Sequence, residues 1–253
     1  MTYTHAIARR PAVNTGDGAT SADLGAPDME RMRVQHRDYV RILESLGLQV
    51  EVLAEDERFP DSCFVEDTAV VSASVAVITR PGLASRLGEE AAMEPLLAAH
   101  RPIERIVAPG TVDGGDILVM DGHVLIGLSA RTNEEGAGQL AEIFEAKGMH
   151  CIRVPAGSAL HFKSSVNSLG GERLLVTQEF AQCAQLADFQ CVVVPAGESY
   201  AGNSLWINDR VIVPSGFPAT RKLIDALGIE TIETDVSEFR KMDGGLTCLS
   251  IRL

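Results

Sequence analysis

A recurring pair of β-rich segments is the feature that most constrains the fold of this 253-residue chain. In each pair, apolar and β-branched residues lie on both sides of a short turn, and a loop and a helical pattern follow. The clearest pair covers residues 116–127, with Asp121-Gly122 at a position that favours a two-residue hairpin turn. Similar pairs cover residues 68–79, 165–177 and 204–214. The pattern predicts strand–turn–strand units, each followed by a helix.

The units recur at roughly regular intervals, with about 40 to 50 residues between equivalent strand entrances, as in propellers and other repeat proteins. The matching entrances are Asp67, Asp116, Ser165, Asn203 and Cys248. Two single β-rich segments, 5–9 and 246–253, are expected to close a fifth unit between the termini. The helical patterns lie at 86–99, 135–147, 180–187 and 219–227. We therefore predict one α/β domain over residues 1–253, a five-bladed propeller with pseudo-fivefold repeats around a central channel.

The alternative for an α/β pattern is a doubly wound parallel sheet. Two observations count against it. The β-rich segments come in pairs joined by tight turns, whereas a doubly wound sheet alternates single strands with helices. The first strand is also not followed by the GxGxxG sequence that a dinucleotide-binding fold uses.

Charge and composition exclude several classes of partner. The chain has 35 acidic and 22 basic residues, a formal net charge of −13, and would be repelled by nucleic acid and anionic membranes. No apolar run reaches the roughly 18 residues of a membrane span, and the first ten residues lack a signal-peptide core. We expect a soluble cytoplasmic protein without nucleic-acid or membrane partners; a homodimer remains open.

The cysteine pattern argues against disulfides and metal. The 5 cysteines include no CxxC pair, so neither a disulfide framework nor a structural zinc site is indicated. A mixed Cys/His/Asp zinc site ranks below a nucleophilic cysteine because no candidate ligands have short local spacing. We expect no metal.

Carboxylates concentrate at two strand entrances. Asp61, Glu66 and Asp67 flank an apolar segment that enters the first strand pair, and Asp113 and Asp116 occupy the same place in the second. Buried carboxylates are costly unless paired, so acids that converge on a channel suit a cationic ligand. Ordinary solvated surface acids are the alternative.

Cys248 and His161 stand at two further entrances of the same kind. A thiol with a nearby histidine as acid and base is what nucleophilic catalysis requires. The alternatives are a buried inert thiol and a structural histidine. Cys63 is a rival nucleophile, but the acids beside it raise the pKa of a thiol and work against it.

Arg86 and Arg131 each follow a strand pair in successive units. Their guanidinium groups suit a substrate carboxylate because they present paired N–H donors. Surface arginines that solubilise a helix start are the equally weighted alternative.

The chain resembles the dimethylarginine dimethylaminohydrolase family of the guanidine-modifying, or pentein, superfamily. The resemblance extends over nearly the whole sequence. It is carried by Ala8-Arg-Arg-Pro11, Arg58-Phe-Pro-Asp-Ser-Cys-Phe-Val-Glu-Asp67, Ile78-Thr-Arg-Pro-Gly82, Gly110-Thr-Val-Asp-Gly-Gly-Asp116, Ser129-Ala-Arg-Thr-Asn133, His161-Phe-Lys163, Glu198-Ser-Tyr-Ala-Gly-Asn203 and Asp243-Gly-Gly-Leu-Thr-Cys248.

The resemblance implies hydrolysis of asymmetric dimethylarginine or monomethylarginine to citrulline and a methylamine, without a cofactor. It implies the following roles: Cys248 as nucleophile, His161 as acid and base, Asp67 and Asp113 as guanidinium-binding carboxylates with Asp113 in the catalytic group, Asp61 and Glu66 as further acidic binding positions, Arg86 and Arg131 as the α-carboxylate clamp, and the carbonyl of Met242 as a ligand of the α-amino group.

Two positions depart from the family pattern. Asp113 stands where relatives often have Glu, which predicts a changed contact length. Ala19 lies in the loop 14–21, where relatives carry a larger apolar residue that caps the substrate; we expect this small, polar loop to be mobile without ligand and to act as a lid. An arginine deiminase-like hydrolase and a catalytically silent arginine-binding module are the competing functions.

Overall fold

The computed structural model describes residues 2–157 and 160–253. These residues form five three-stranded sheets arranged as the blades of an α/β propeller. In every blade the middle strand pairs antiparallel with the inner strand and parallel with the outer strand. The strands in chain order are β1 (His5–Arg9), β2 (Gln49–Leu53), β3 (Ala69–Val71), β4 (Ala76–Ile78), β5 (Ile103–Arg105), β6 (Ile117–Met120), β7 (His123–Leu128), β8 (His150–Pro155), β9 (Val166–Ser168), β10 (Arg173–Val176), β11 (Gln190–Val193), β12 (Leu205–Ile207), β13 (Arg210–Pro214), β14 (Glu230–Thr234) and β15 (Ile251–Arg252).

The inner and middle strands are the pairs expected from the sequence. Their turns use residues that tolerate left-handed backbone: Asn208 and Asp209 have φ of 46° and 69°, and Gly122 has φ of 77°. Such turns match the twist of the flanking strands and so fix the hairpin register. The predicted strand pairs in blades β3–β4, β6–β7, β9–β10 and β12–β13 are confirmed.

The fifth blade is built from both ends of the chain, as predicted. β1 pairs antiparallel with β15 and parallel with β2. The last strand is shorter than the expected 246–253, because the residues Thr247–Leu249 form a 3-10 turn instead. The two ends of the sequence therefore join the ring through one sheet.

Four of the five connections from a middle to an outer strand contain an α-helix, since a parallel pair needs a crossover. The helices are α1 (Met29–Ser45), α2 (Glu94–Ala98), α3 (Glu134–Glu145), α4 (Pro218–Asp225) and α5 (Ser237–Arg240), of which α5 follows β14 outside the crossovers. The helix expected over 180–187 is wrong, because two 3-10 turns, Gln178–Phe180 and Ala184–Leu186, make that crossover. The pattern at 86–99 likewise breaks: Gly88 has φ of 104°, and only α2 is α-helical there.

The hydrophobic core is divided among the five interfaces between neighbouring blades. Alternate residues of one strand face opposite neighbours: Leu174 and Val176 of β10 pack toward the blade of β7, whereas Leu175 packs toward the blade of β13. This follows from the two-residue period of a strand. It also explains why the strand pairs read as nearly continuous apolar runs, since both faces of each blade are covered.

The described helices include none that is both long and apolar enough to cross a membrane. The longest, α1, is amphipathic, with Met32, Tyr39 and Leu43 buried against the core and charged residues on its other side. Asp28 caps it, accepting hydrogen bonds from the amides of Glu30 and Arg31.

Candidate active site

A 3-10 turn precedes each inner strand, and most of the chemistry-bearing side chains predicted from the sequence lie on or beside these turns. The five turns are Val65–Thr68, Gly114–Asp116, Phe162–Ser164, Ser199–Gly202 and Thr247–Leu249. Turns from neighbouring blades contact one another around the channel. The strand entrances that match one another in the sequence therefore lie on or beside the turns of one ring.

Two glycines allow the first two turns to approach closely. A Cβ added to Gly114 would lie 2.0 Å from the carbonyl oxygen of Glu66. One added to Gly115 would lie 2.7 Å from Asp67 Oδ1 and 2.8 Å from the ring of His161. The Gly115 amide donates a hydrogen bond of 2.7 Å to that same Asp67 oxygen. Side chains here would separate the carboxylate from the imidazole.

The turns border a cavity at one end of the ring. Nine of the ten predicted site residues line it: Ala19, Asp61, Asp67, Arg86, Asp113, Arg131, His161, Met242 and Cys248. Phe64, Leu83, Leu160, Asp243 and Gly244 complete the wall. Phe64, Leu83 and Leu160 give this wall its apolar part.

His161 lies among carboxylates. Its Nε2 is 3.0 Å from Asp113 Oδ2 and 4.0 Å from Asp67 Oδ1. Because an ionised carboxylate only accepts hydrogen bonds, Nε2 carries a proton. Burial alone would lower the pKa of His161, but the charge of Asp67 and the hydrogen bond to Asp113 raise it to about 9. His161 is therefore an imidazolium at neutral pH and can donate a proton.

Cys248 is half-buried in the turn before β15. Burial, followed by the charges of Glu66 and Asp67, raises the pKa of its thiol to about 12. The resting thiol is protonated, and a cation in the cavity would favour the thiolate. Cys63, the rival, is fully buried outside the cavity lining, and burial together with Asp61 raises its pKa further.

Arg86 is held more tightly than the expected open clamp. Its Nη1 is 2.5 Å from Asp67 Oδ2, its Nη2 is 2.6 Å from Glu89 Oε2, and Nη2 also donates to the carbonyl of Phe64 at 3.0 Å. Nε lies 3.1 Å from both carboxylate oxygens of Glu89. Most N–H donors of Arg86 thus already have partners within the protein, and its part in the α-carboxylate clamp stays a prediction.

Arg131 differs from Arg86. It lines the cavity, is half-buried, and its guanidinium makes no ion pair with any other residue in the described part of the chain. Its amide is fixed by the hydroxyl of Ser129 at 2.9 Å. Arg131 is thus the cation with donors available for a substrate carboxylate.

Glu66 is the predicted site residue that lies apart from the cavity lining. Its Oε1 is 2.7 Å from Lys163 Nζ and 2.6 Å from Arg252 Nη2, and all three residues line a second cavity formed by the inner strands, the central channel. Lys163 and Arg252 hold the carboxylate on the channel side, and the role of Glu66 as an acidic binding position near the substrate stays a prediction. Its charge nevertheless reaches Cys248, whose pKa it raises.

Asp116, expected to point into the channel with Asp113, has a structural role. Its Oδ1 accepts from the Phe162 amide at 2.9 Å, and Oδ2 accepts from the hydroxyls of Ser129 at 2.6 Å and Thr132 at 2.7 Å. Burial raises the pKa of Asp116. The carboxylate joins the turn that precedes β9 to the loop after β7, and so holds the segment that begins at His161.

The loop 14–21 reaches across the cavity. Asp61 Oδ2 accepts a hydrogen bond of 3.2 Å from the amide of Ala19, and Asp243 Oδ2 accepts one of 2.9 Å from the hydroxyl of Ser21. These bonds connect the loop to the acids on one side and to the segment before Cys248 on the other. Mobility of this loop without ligand stays a prediction.

Several contributors escaped sequence reasoning. Asn203 Nδ2 donates to the Lys163 carbonyl at 3.0 Å, and its Oδ1 accepts from the Thr247 amide at 3.0 Å, so it joins the turns after His161 and around Cys248. Glu89, buried at 5% exposure, pairs with Arg86. The three-residue spacing to Arg86 on a helical pattern was the signal available for Glu89.

Metal-binding potential is confined to the same group of residues. Among the described side chains, Asp67, Asp113 and His161 are the set whose ligand atoms lie within 4.8 Å of one another. Asp67 and Asp113 already accept hydrogen bonds from the amides of Gly115 and Gly82, and His161 Nε2 is bonded to Asp113. The arrangement fits an acid–base group that faces a cation.

Comparison with known proteins agrees with this geometry. The family model described as N,N dimethylarginine dimethylhydrolase, eukaryotic, matches residues 25–251. The dimethylarginine dimethylaminohydrolase of Pseudomonas aeruginosa is 44% identical over 252 residues and 99% of each chain, and that of Streptomyces coelicolor is 33% identical over 256 residues, 98% of this chain and 96% of the other.

Solved structures of related proteins show the same fold. The Pseudomonas aeruginosa enzyme, as a cysteine-to-serine variant complexed with citrulline, superposes with a TM-score of 0.97, 44% identity and full coverage of both chains. The N-terminal domain of a cyanobacterial arginine dihydrolase, 17% identical, shares the fold with a TM-score of 0.86 over 98% of this chain and 97% of that one. The chain belongs to the dimethylarginine dimethylaminohydrolase family.

Proposed function

We propose that this protein hydrolyses asymmetric dimethylarginine and monomethylarginine to citrulline and the corresponding methylamine, with Cys248 as nucleophile. The observation that carries the proposal is one cavity that brings together a thiol, an imidazolium and carboxylates suited to a guanidinium. The small methylated arginine is the partner it requires. We further propose that the protein acts in the cytoplasm.

Binding uses both ends of the substrate. Asp67 and Asp113 face the guanidinium, and the negative charge left on this side of the cavity favours a cation. Arg131 takes the α-carboxylate, with one remaining N–H of Arg86 beside it. Asp61 and the Met242 carbonyl accept from the α-amino group. Burial raises the pKa of Asp61, although Arg86 and the Ala19 amide oppose this, so a bound ammonium would also favour the ionised form of Asp61.

The chemistry begins when the bound guanidinium stabilises the Cys248 thiolate. The sulfur attacks the guanidine carbon, and the imidazolium of His161 protonates the departing amine, which leaves a covalent S-alkylthiouronium. The now neutral His161 removes a proton from water, and the resulting hydroxide attacks the thiouronium carbon. The C–S bond then breaks, the hydroxyl proton passes to the departing sulfur, and citrulline and the Cys248 thiol are released. His161 is thus charged before the first step, neutral after it, and charged again after the second.

A substrate panel with citrulline as the readout tests the proposal. Dimethylarginine and monomethylarginine should yield citrulline, and arginine should yield little. Faster ammonia release from arginine would point to the deiminase alternative, and binding without citrulline from any substrate would point to the silent module.

Cys248→Ser and His161→Gly should each abolish turnover and leave the fold intact, because only the nucleophile or the proton donor is removed. Mass spectrometry of quenched reactions should find the adduct on the peptide that carries Cys248. Cys183→Ser is the matched control, since this half-buried thiol contacts Gln185 on the surface of another blade. An adduct on Cys63, or full activity of Cys248→Ser, would overturn the assignment.

A further inference from the structure

Glu89 is a buried acid outside the cavity lining whose partner, Arg86, is part of that lining. The two side chains are 3% and 6% exposed. Glu89 meets the guanidinium on the side away from Asp67, through Nε and Nη2, while Asp67 takes Nη1. Arg86 therefore lies between two carboxylates, one that faces the substrate and one that does not.

The charges of these three groups contribute to what the cavity attracts, beside those of the other lining residues. Arg86 and Asp67 alone would form a neutral pair, and a neutral pair holds little attraction for a guanidinium. With Glu89 ionised, the group carries one net negative charge, which matches the cationic end of a methylated arginine. Burial raises the pKa of Glu89 and Arg86 opposes this; the guanidinium contacts on both carboxylate oxygens favour the ionised form.

The same contacts limit what Arg86 can offer a substrate carboxylate. Of its five N–H groups, those on Nε and Nη2 donate to Glu89 and to the Phe64 carbonyl, and one on Nη1 donates to Asp67. A single N–H remains. Asp67 stays bonded to Nη1, so Glu89 acts by adding a second negative charge beside Arg86, and the carboxylate end of the substrate is left to Arg131.

We propose that Glu89 is a positioning residue that sets the preference of the site for a cationic guanidinium over a neutral ureido group. The inference rests on the proposed function, because it assumes a substrate whose guanidinium lies against Asp67. It adds a determinant of selectivity that does not touch the substrate.

The test compares dimethylarginine with citrulline, which share the α-amino and α-carboxylate groups and differ in the charge of the side-chain end. Calorimetry on Cys248→Ser protein measures affinity without turnover. Adding Glu89→Gln keeps the shape and an acceptor for Arg86 but removes the charge. We expect dimethylarginine affinity to fall about tenfold, roughly 1.4 kcal/mol, and citrulline affinity to change by less than about twofold.

Glu90→Gln is the matched control, since the neighbouring acid on the same turn accepts a hydrogen bond from the Gly88 amide and makes no contact with Arg86 in the described structure. It should alter neither affinity. Glu89→Asp keeps the charge, so the ratio of the two affinities should return toward that of the parent even if the shorter side chain weakens both ligands or lowers the melting temperature.

Equal weakening of both ligands by Glu89→Gln, or no weakening of either, overturns the role of Glu89 while the proposed function stands. A Glu89→Asp ratio like that of Glu89→Gln also overturns it, because geometry rather than charge would then matter. Failure of the Cys248→Ser parent to bind either ligand contradicts the proposed function, and the role of Glu89 falls with it.

Discussion

Replacing Asp113 with Asn tests how the site keeps His161 charged. One oxygen of Asp113 accepts from the Gly82 amide at 2.9 Å, and the other meets His161 Nε2 at 3.0 Å. Because Gly82 can only donate, the oxygen of Asn should stay on that side and place the amide nitrogen against Nε2. Two donors then face each other unless Nε2 loses its proton.

The size of the effect follows from the bond that is lost. A hydrogen bond to a charged partner is worth about 1.5 to 3 kcal/mol, and one pKa unit corresponds to about 1.4 kcal/mol. The pKa of His161, about 9 with Asp113 in place, should therefore fall by roughly one to two units. Asp67 remains, so the pKa should not fall to that of a fully isolated buried imidazole.

The measurement is an NMR titration of the histidine ring resonances. His161→Gly assigns the signal of interest, and His36, whose pKa burial lowers to about 4, provides an internal reference for an uncharged ring. The acid form is present below the pKa, so the ratio of wild-type to variant kcat should rise as pH increases from about 7 to 9. Asp38→Asn on α1 removes an exposed carboxylate that pairs with Arg41 at 3.0 Å, and should change neither quantity.

A wild-type His161 that titrates near 6.5 would refute the reasoning, since the carboxylates would then not control its charge. A pKa that stays near 9 in Asp113→Asn would show instead that Asp67 alone holds the proton. A parallel fall in kcat at every pH would mean that Asn displaces the ring rather than altering its protonation.

Two further substitutions probe the glycine contact and the loop. Gly115→Ala should reduce kcat about tenfold or more, because its Cβ would lie 2.7 Å from Asp67 and 2.8 Å from His161; unchanged activity in steady-state kinetics contradicts the close approach. Gly138→Ala is the control: it lies on α3 with its nearest atom at 3.6 Å, and it should raise the unfolding free energy in denaturant by about 1 kcal/mol and leave kcat unchanged. Ala19→Leu should lower KM by covering the bound substrate better; hydrogen exchange with and without ligand measures loop closure, and equal protection together with an unchanged KM would show that the loop is not a lid.

The parts of the fold that the sequence predicts are those that local chemistry determines. Asn208 and Asp209 adopt the left-handed backbone that a two-residue hairpin requires, and such turns leave a visible mark in the sequence. The outer strands β5 and β14 leave almost none, because they are short and largely unburied and therefore lack a strict alternation. The crossover after β10 has enough apolar residues for a helix but forms two 3-10 turns around Phe180 and Leu186.

In the site, too, some features could be predicted from the sequence and others could not. Repeat position identified the residues that lie on or beside the ring of turns, because equivalent turns converge whatever their side chains. It did not identify their partners. Whether Arg86 reaches a substrate or Glu89, and whether Glu66 faces the cavity or Lys163, depends on distances between backbones that meet only in the folded ring. Pairing of charges is a property of tertiary structure, so composition and spacing cannot assign it.

The pairings also explain how a thiol can act as nucleophile among acids. Glu66 is balanced behind Cys248 by Lys163 and Arg252, and it still raises the pKa of the thiol. In front, Asp67 is left with negative charge toward the cavity because Glu89 shares Arg86. A thiol in such surroundings stays protonated and unreactive toward neutral electrophiles, whereas a bound guanidinium lowers the pKa of the thiol and favours the thiolate. The acids therefore make formation of the thiolate depend on the presence of a cationic substrate, which restricts reactivity to the occupied site.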